Sequence, residues 1–248
     1  MKIFPFIALL LIVAACQQQP TAEEIIDRSI EAYGGQKVYN SIIEFDFRKR
    51  HYVAKYHNNR FELKRIFTDT LGNHYVDVLT NEGFTRTVND SLVQLDDEWR
   101  GKYASSVNSV IYFFRIPFVL KDPAVIAELL GTTQMDGKEY YEIMVTFKPE
   151  GGGEDYSDTF IYWINTDNHF IDYFAYEYHT NGGGKRFRKA INPRVVNGLR
   201  VVDYINYKPK DLQVDIADYD QYFFEGGLEE LSRIINTNIT VEYLQAGQ

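Results

Sequence analysis

Cysteine is all but missing from this sequence: its 248 residues contain one, Cys16. A disulfide within the chain is excluded, so the core must hold the fold even in an oxidising compartment. Long hydrophobic runs are missing too. The most apolar stretch, Ile3 to Val13, falls well short of the roughly 20 residues that a helix needs to cross a bilayer. Positive charge is in deficit, with 26 Lys and Arg against 35 Asp and Glu and a formal charge of -9. This balance argues against a nucleic-acid partner and against strong attraction to an anionic lipid surface.

The common signatures of catalysis and metal binding are lacking as well. There is no His-Glu-x-x-His, no paired cysteine ligands, no Gly-x-Ser-x-Gly elbow and no phosphate-binding Gly-x-x-x-x-Gly-Lys-Ser/Thr. The histidines at 51, 57, 74, 169 and 179 are scattered, and neither a metal nor a cofactor is expected. Asp215, Asp218 and Asp220 form a fragment of a calcium loop without its glycine or its closing glutamate, and read as a solvated acidic loop. Gly182-Gly183-Gly184 before Lys185-Arg186 reads as a hairpin loop rather than an anion nest. His51 shares a strand face with Glu44 and Asp46, a pattern more typical of a salt-laced polar face than of an acid–base set. No catalysis is expected.

What is present starts at the amino end. Lys2 supplies a short positive region, Ile3 to Val13 an apolar one, and Ala14-Ala15 small residues before a cut. Val13-Ala14-Ala15-Cys16 resembles a lipobox, with Val where Leu is commonest. The resemblance implies an export signal over 1–15, a diacylglycerol on Cys16, and attachment of the mature chain to a membrane without a spanning helix. Gln17 after the cysteine, with no acidic residue before Glu23, is consistent by analogy with the outer membrane, facing the periplasm. Residues 16–21 read as a polar tether.

From Thr21 the pattern is structural. Thr21 and Glu24 make a capping box, Ile25, Ile26, Ile30 and Tyr33 follow at helical spacing, and Gly34-Gly35 stops the helix. The period then becomes two. Ile43, Phe45 and Phe47 alternate with Glu44, Asp46 and Arg48; Phe61, Leu63 and Phe67 alternate with charged residues; and strand patterns continue to Leu95. Asp96 or Asp97 caps a second helix carrying Trp99, Tyr103, Val107, Val110, Ile111 and Phe114. Its apolar continuation to Leu120 is either core or a lid over an apolar cavity, with core favoured. Six more strand patterns run from Leu129 to Tyr207. A short helix is expected over Glu225 to Ile235 and a last strand over Thr237 to Leu244. Phe160 to Ile164 is apolar on both faces and must be covered on each. No linker marks a second domain, so 22–248 reads as one.

A leading helix ending in Gly-Gly, a long antiparallel meander, a helical insertion and a second meander together resemble the bacterial lipoprotein-carrier fold of the Lol system. More closely, Ala22-Glu23-Glu24-Ile25-Ile26 through Ala32-Tyr33-Gly34-Gly35, with Phe45-Asp46-Phe47-Arg48 after it, resembles a group of uncharacterised Bacteroidota lipoproteins. The resemblance implies a mostly β (α+β) protein: a curved antiparallel open half-barrel sheet, covered on its concave face by a few helices. It further implies an apolar cavity for a lipid, acylated or other hydrophobic ligand. Phe45, Phe47, Phe61, Leu63, Val110, Phe114, Tyr141, Ile143, Tyr162 and Phe174 are expected to line it. The alternative is an envelope scaffold with a filled core and a protein partner.

Overall fold

The computed structural model describes residues 19–151 and 156–245, with Asn181 described by its backbone alone. The export signal and Cys16 lie outside the described residues. Helix α1 (Ala22–Tyr33) begins as the capping box requires: the Thr21 hydroxyl accepts from the Glu24 N–H, and the Glu24 carboxylate accepts from the Thr21 N–H. It ends at Gly34, whose φ of 141° is open to glycine and strained for other residues. A Cβ there would meet the Gly198 carbonyl oxygen at 2.9 Å.

The first meander is β1 (Ser41–Phe47), β2 (Arg50–His57), β3 (Arg60–Thr68), β4 (His74–Thr80), β5 (Gly83–Val88) and β6 (Ser91–Leu92). Helix α2 (Asp97–Phe114) follows, its N-cap Asp96 accepting from the Trp99 N–H at 2.8 Å. The second meander is β7 (Val125–Met135), β8 (Lys138–Phe147), β9 (Thr159–Asn165), β10 (Ile171–Tyr178), β11 (Gly184–Val196) and β12 (Leu199–Pro209). A short helix α3 (Tyr219–Phe224) and strands β13 (Leu228–Ile234) and β14 (Thr237–Tyr243) complete the described chain.

The strands form two seven-stranded antiparallel sheets, β14-β1-β2-β3-β4-β5-β6 and β13-β12-β11-β10-β9-β8-β7. They meet where β13 passes into β14. Here the Asn236 N–H donates to Asp203 at 3.0 Å, while Arg194 bridges Asp203 and the Asn236 carbonyl. The opposite edges, β6 and β7, pair with one neighbour each, so the sheet stays open. This is the mostly β open half-barrel with few helices that the resemblance implies.

The helix expected over Glu225 to Ile235 is not there. Leu228–Ile234 is instead strand β13, because the exposed edge of β12 offers its backbone a full antiparallel ladder. The ladder outweighs a helical spacing of leucines that has no face to bury. The nearby helix lies earlier, at α3, and with Ile216 it covers Ile161 and Trp163 on the outer side of β9. Phe160, Tyr162 and Ile164 point into the main core, so this strand is covered on both faces. Val110 to Leu120 divides: α2 stops at Phe114, and after a turn Ile116, Phe118, Val119 and Leu120 are buried as core.

Helix α2 rests on the inner face of β3–β5, and a buried ionic cluster docks it there. Asp77 is fully buried and accepts from Arg65 at 2.6 Å and from Arg86 at 2.6 Å, its register partners on either side. Arg65 also donates to the Ser106 hydroxyl of α2 at 2.7 Å, and the Arg86 guanidinium lies 3.5 Å over the Tyr103 ring.

Candidate functional site

With one flank of α2 held on β3–β5, its other flank faces β8–β11 across a cleft of about 940 Å³. That volume lies near the upper end of the roughly 300–1,000 Å³ typical of small-molecule sites. Antiparallel register builds the wall. Phe160, Tyr176 and Arg186 sit directly opposite one another on β9, β10 and β11 and form one rung across the sheet. The Phe160 and Tyr176 rings stack at 5.3 Å, Phe147 meets Phe160 edge-on at 5.9 Å, and Phe113 of α2 approaches Tyr176 at 5.1 Å. Arg186 donates to the Tyr178 hydroxyl at 2.9 Å. Burial pushes the Tyr112 hydroxyl well above its usual pKa, so at this wall it is a neutral group. The rim toward the start of α2 is polar, with Glu98 and Lys102 paired at 2.6 Å.

The next rung inward is Tyr162, Phe174, Arg188, Asn206 and Ser232, running from β9 to β13. Arg188, Asn206 and Ser232 border a second hollow of about 250 Å³, closed on its other side by Phe47, Val110 and Phe114. Phe113 and Ser109 line both spaces and stand between them.

All the residues expected at a cavity face the interior, but most are core rather than wall. Phe45, Leu63, Ile143, Tyr162 and Phe174 are fully buried. Phe45 stacks on Phe114 at 4.0 Å, which fills the space between β1 and α2. Phe61 and Tyr141 are half-buried against that core. Phe47, Val110 and Phe114 line the smaller hollow, and none of the expected residues lines the larger cleft. Depth along the strand explains the difference: Phe160 and Tyr176 lie one rung outward of Tyr162 and Phe174 on the same face. Sequence reasoning missed Arg188 and Arg65. The signal for Arg65 was its interruption of the apolar alternation Phe61, Leu63, Phe67.

His51, Asp46 and Glu44 do come together. The His51 Nδ1 lies 2.8 Å from Asp46 and its Nε2 3.2 Å from Glu44, on a partly exposed face away from both hollows. A hydrogen bond from Asn238, and then one from His51, lowers the Asp46 pKa. Asp220 departs from the solvated acidic loop expected of it: it is buried and accepts from the Thr133 hydroxyl at 2.7 Å, because α3 folds it against β7. Among the described residues, no group of three or more His, Cys, Asp or Glu side chains is placed to hold a metal ion.

Among solved structures, the chain is similar to a LolA superfamily protein from Nitrosomonas europaea, with a TM-score of 0.53 and 13% identity over 91% of this chain and 96% of that one. It is also similar to a DUF1329 family protein from Desulfovibrio piger, with a TM-score of 0.50 and 12% identity over 92% and 95% of the two chains. At these identities the likeness is one of fold. No curated protein matches the sequence. The model of DUF6503, a family of unknown function, matches residues 1–231, and the chain belongs to that family.

Proposed function

We propose that this protein is a lipid-anchored cell-envelope binding protein, tethered through Cys16, that holds a hydrophobic or acylated ligand between α2 and β8–β11 without catalysis. The observation that carries this reading is the large cleft and its aromatic wall of Phe113, Phe147, Phe160 and Tyr176. The lipobox-like Val13-Ala14-Ala15-Cys16 supports the tether. Among the described residues no helix is long and apolar enough to cross a membrane, so attachment of the described domain does not rest on such a helix. Ligand binding draws on burial of apolar surface, at roughly 25 cal/mol per Å².

The test is native mass spectrometry with lipid extraction on the full chain recovered from the bacterial envelope. A stoichiometric lipid or acylated molecule is expected, lost when Phe147→Asp places a charge on the cleft wall. A ligand-free mass that also fails to take up added lipid overturns the reading. It would favour the scaffold alternative, for which the filled space between Phe45 and Phe114 is the supporting observation.

A further inference from the structure

The smaller hollow contains a charge that the protein leaves unanswered. Arg188 is 7% exposed, yet its Nε has no hydrogen-bond partner. Its Nη2 donates to the Tyr176 hydroxyl at 3.0 Å, and its guanidinium lies 3.8 Å over the Phe113 ring. A cation–π stack recovers part of the cost of burying a guanidinium, whereas a counter-charge recovers most of it. Among the described residues no carboxylate lines this hollow; the exposed Arg48 does. Across the ladder, Asn206 is also buried, with its Oδ1 unpartnered and its Nδ2 only 3.4 Å from the Ser232 hydroxyl. Arg115 and Arg200 likewise stack on rings with an unpaired Nε, but neither lines either hollow. Arg188 is set apart by being a buried guanidinium that borders a hollow together with a second cation.

We propose that this hollow is an oxyanion subsite. A carboxylate or phosphate group binds the Arg188 guanidinium from the hollow, with Arg48 beside it. The two spaces lie on either side of Phe113 and Ser109, so a molecule that occupies both passes these side chains with its head at Arg188 and its hydrocarbon along Phe160 and Tyr176. The ligand class is then an anionic amphiphile, an assignment that rests on the binding reading above. The volumes agree: about 250 Å³ takes a head and about 940 Å³ takes a tail. The chain's charge of -9 repels anions at long range, so recognition depends on this local pair of arginines.

Calorimetric titration of the full chain with palmitate, with hexadecanol and with inorganic phosphate alone tests the proposal. Palmitate is expected to bind at least about tenfold more tightly than the alcohol, the fold-change of one charge-assisted hydrogen bond. Arg188→Met is expected to abolish that preference, and Arg188→Lys to keep part of it. Equal binding of palmitate and hexadecanol overturns the oxyanion subsite and leaves the hydrophobic-ligand reading standing. Arg188-dependent binding of phosphate with no uptake of either amphiphile supports the subsite with a free ion as its source, and overturns the reading it rests on. Binding of none of the three overturns both. The comparison on the unaltered chain decides between these outcomes even where a variant fails to fold.

Discussion

Glu142 is a carboxylate held where ionisation is opposed, and it makes the protein's stability depend on pH. It sits on the outer face of β8 opposite Trp163, and its Oε1 is buried without a partner. Burial, and then repulsion from Asp220 and Asp218, raises its pKa from 4.5 to about 7. Below pH 4.5 the group is protonated in both folded and unfolded chains and costs nothing. Between 4.5 and 7 the unfolded chain ionises first, the native state binds more protons, and stability falls as pH rises. At about 1.4 kcal/mol per pH unit the interval is worth on the order of 3 kcal/mol. Partial exposure and screening bring the expected penalty to about 1–2 kcal/mol. Glu142→Gln, neutral throughout, is expected to match the unaltered chain at pH 4 and to exceed it by that amount at pH 8. For a chain of this length the gain corresponds to roughly 2–8 °C in Tm. Thermal unfolding followed by circular dichroism from pH 4 to 8 reads it directly. Parallel stability profiles for the two proteins, or a less stable glutamine variant at pH 8, would refute the reasoning.

Asp77→Asn leaves Arg65 and Arg86 facing each other in the interior, and urea denaturation is expected to show a loss of about 3–5 kcal/mol, with α2 undocked from β3–β5. Cys16→Ser is expected to move the protein from the membrane to the soluble fraction on detergent phase partitioning, since without an acyl chain the described residues offer no spanning helix.

The elements legible in the sequence were those whose signals are local. Thr21, Glu24 and Gly34 define α1 by backbone chemistry that needs no partner, and Asp96 does the same for the start of α2. The phase of the strands was legible too, because a period of two has only two solutions: every residue expected at the cavity belongs to, or packs against, the core between the two sheets. How far along a strand a residue sits from the open end is set by register with distant strands, and no period encodes it. For that reason Tyr162 and Phe174 drew attention while Phe160 and Tyr176, at the cleft, did not. The same limit hid β13, whose partner strand determines its conformation, and Arg188, whose meaning depends on having no carboxylate beside it in space.

One pairing also bears on how the chain reaches its native state. β14 lies against β1, Ser41 opposite Tyr243, so the outer strand of the first sheet is supplied from roughly 200 residues away, the kind of non-local contact that slows folding. Until that strand arrives, β1 presents an unpaired row of backbone N–H and C=O groups next to Ile43 and Phe45, an edge able to template pairing with another molecule. Removal of residues from Thr237 onward is expected to make the chain aggregate, and a bulky fusion just beyond Tyr243 to hinder the strand that protects this edge.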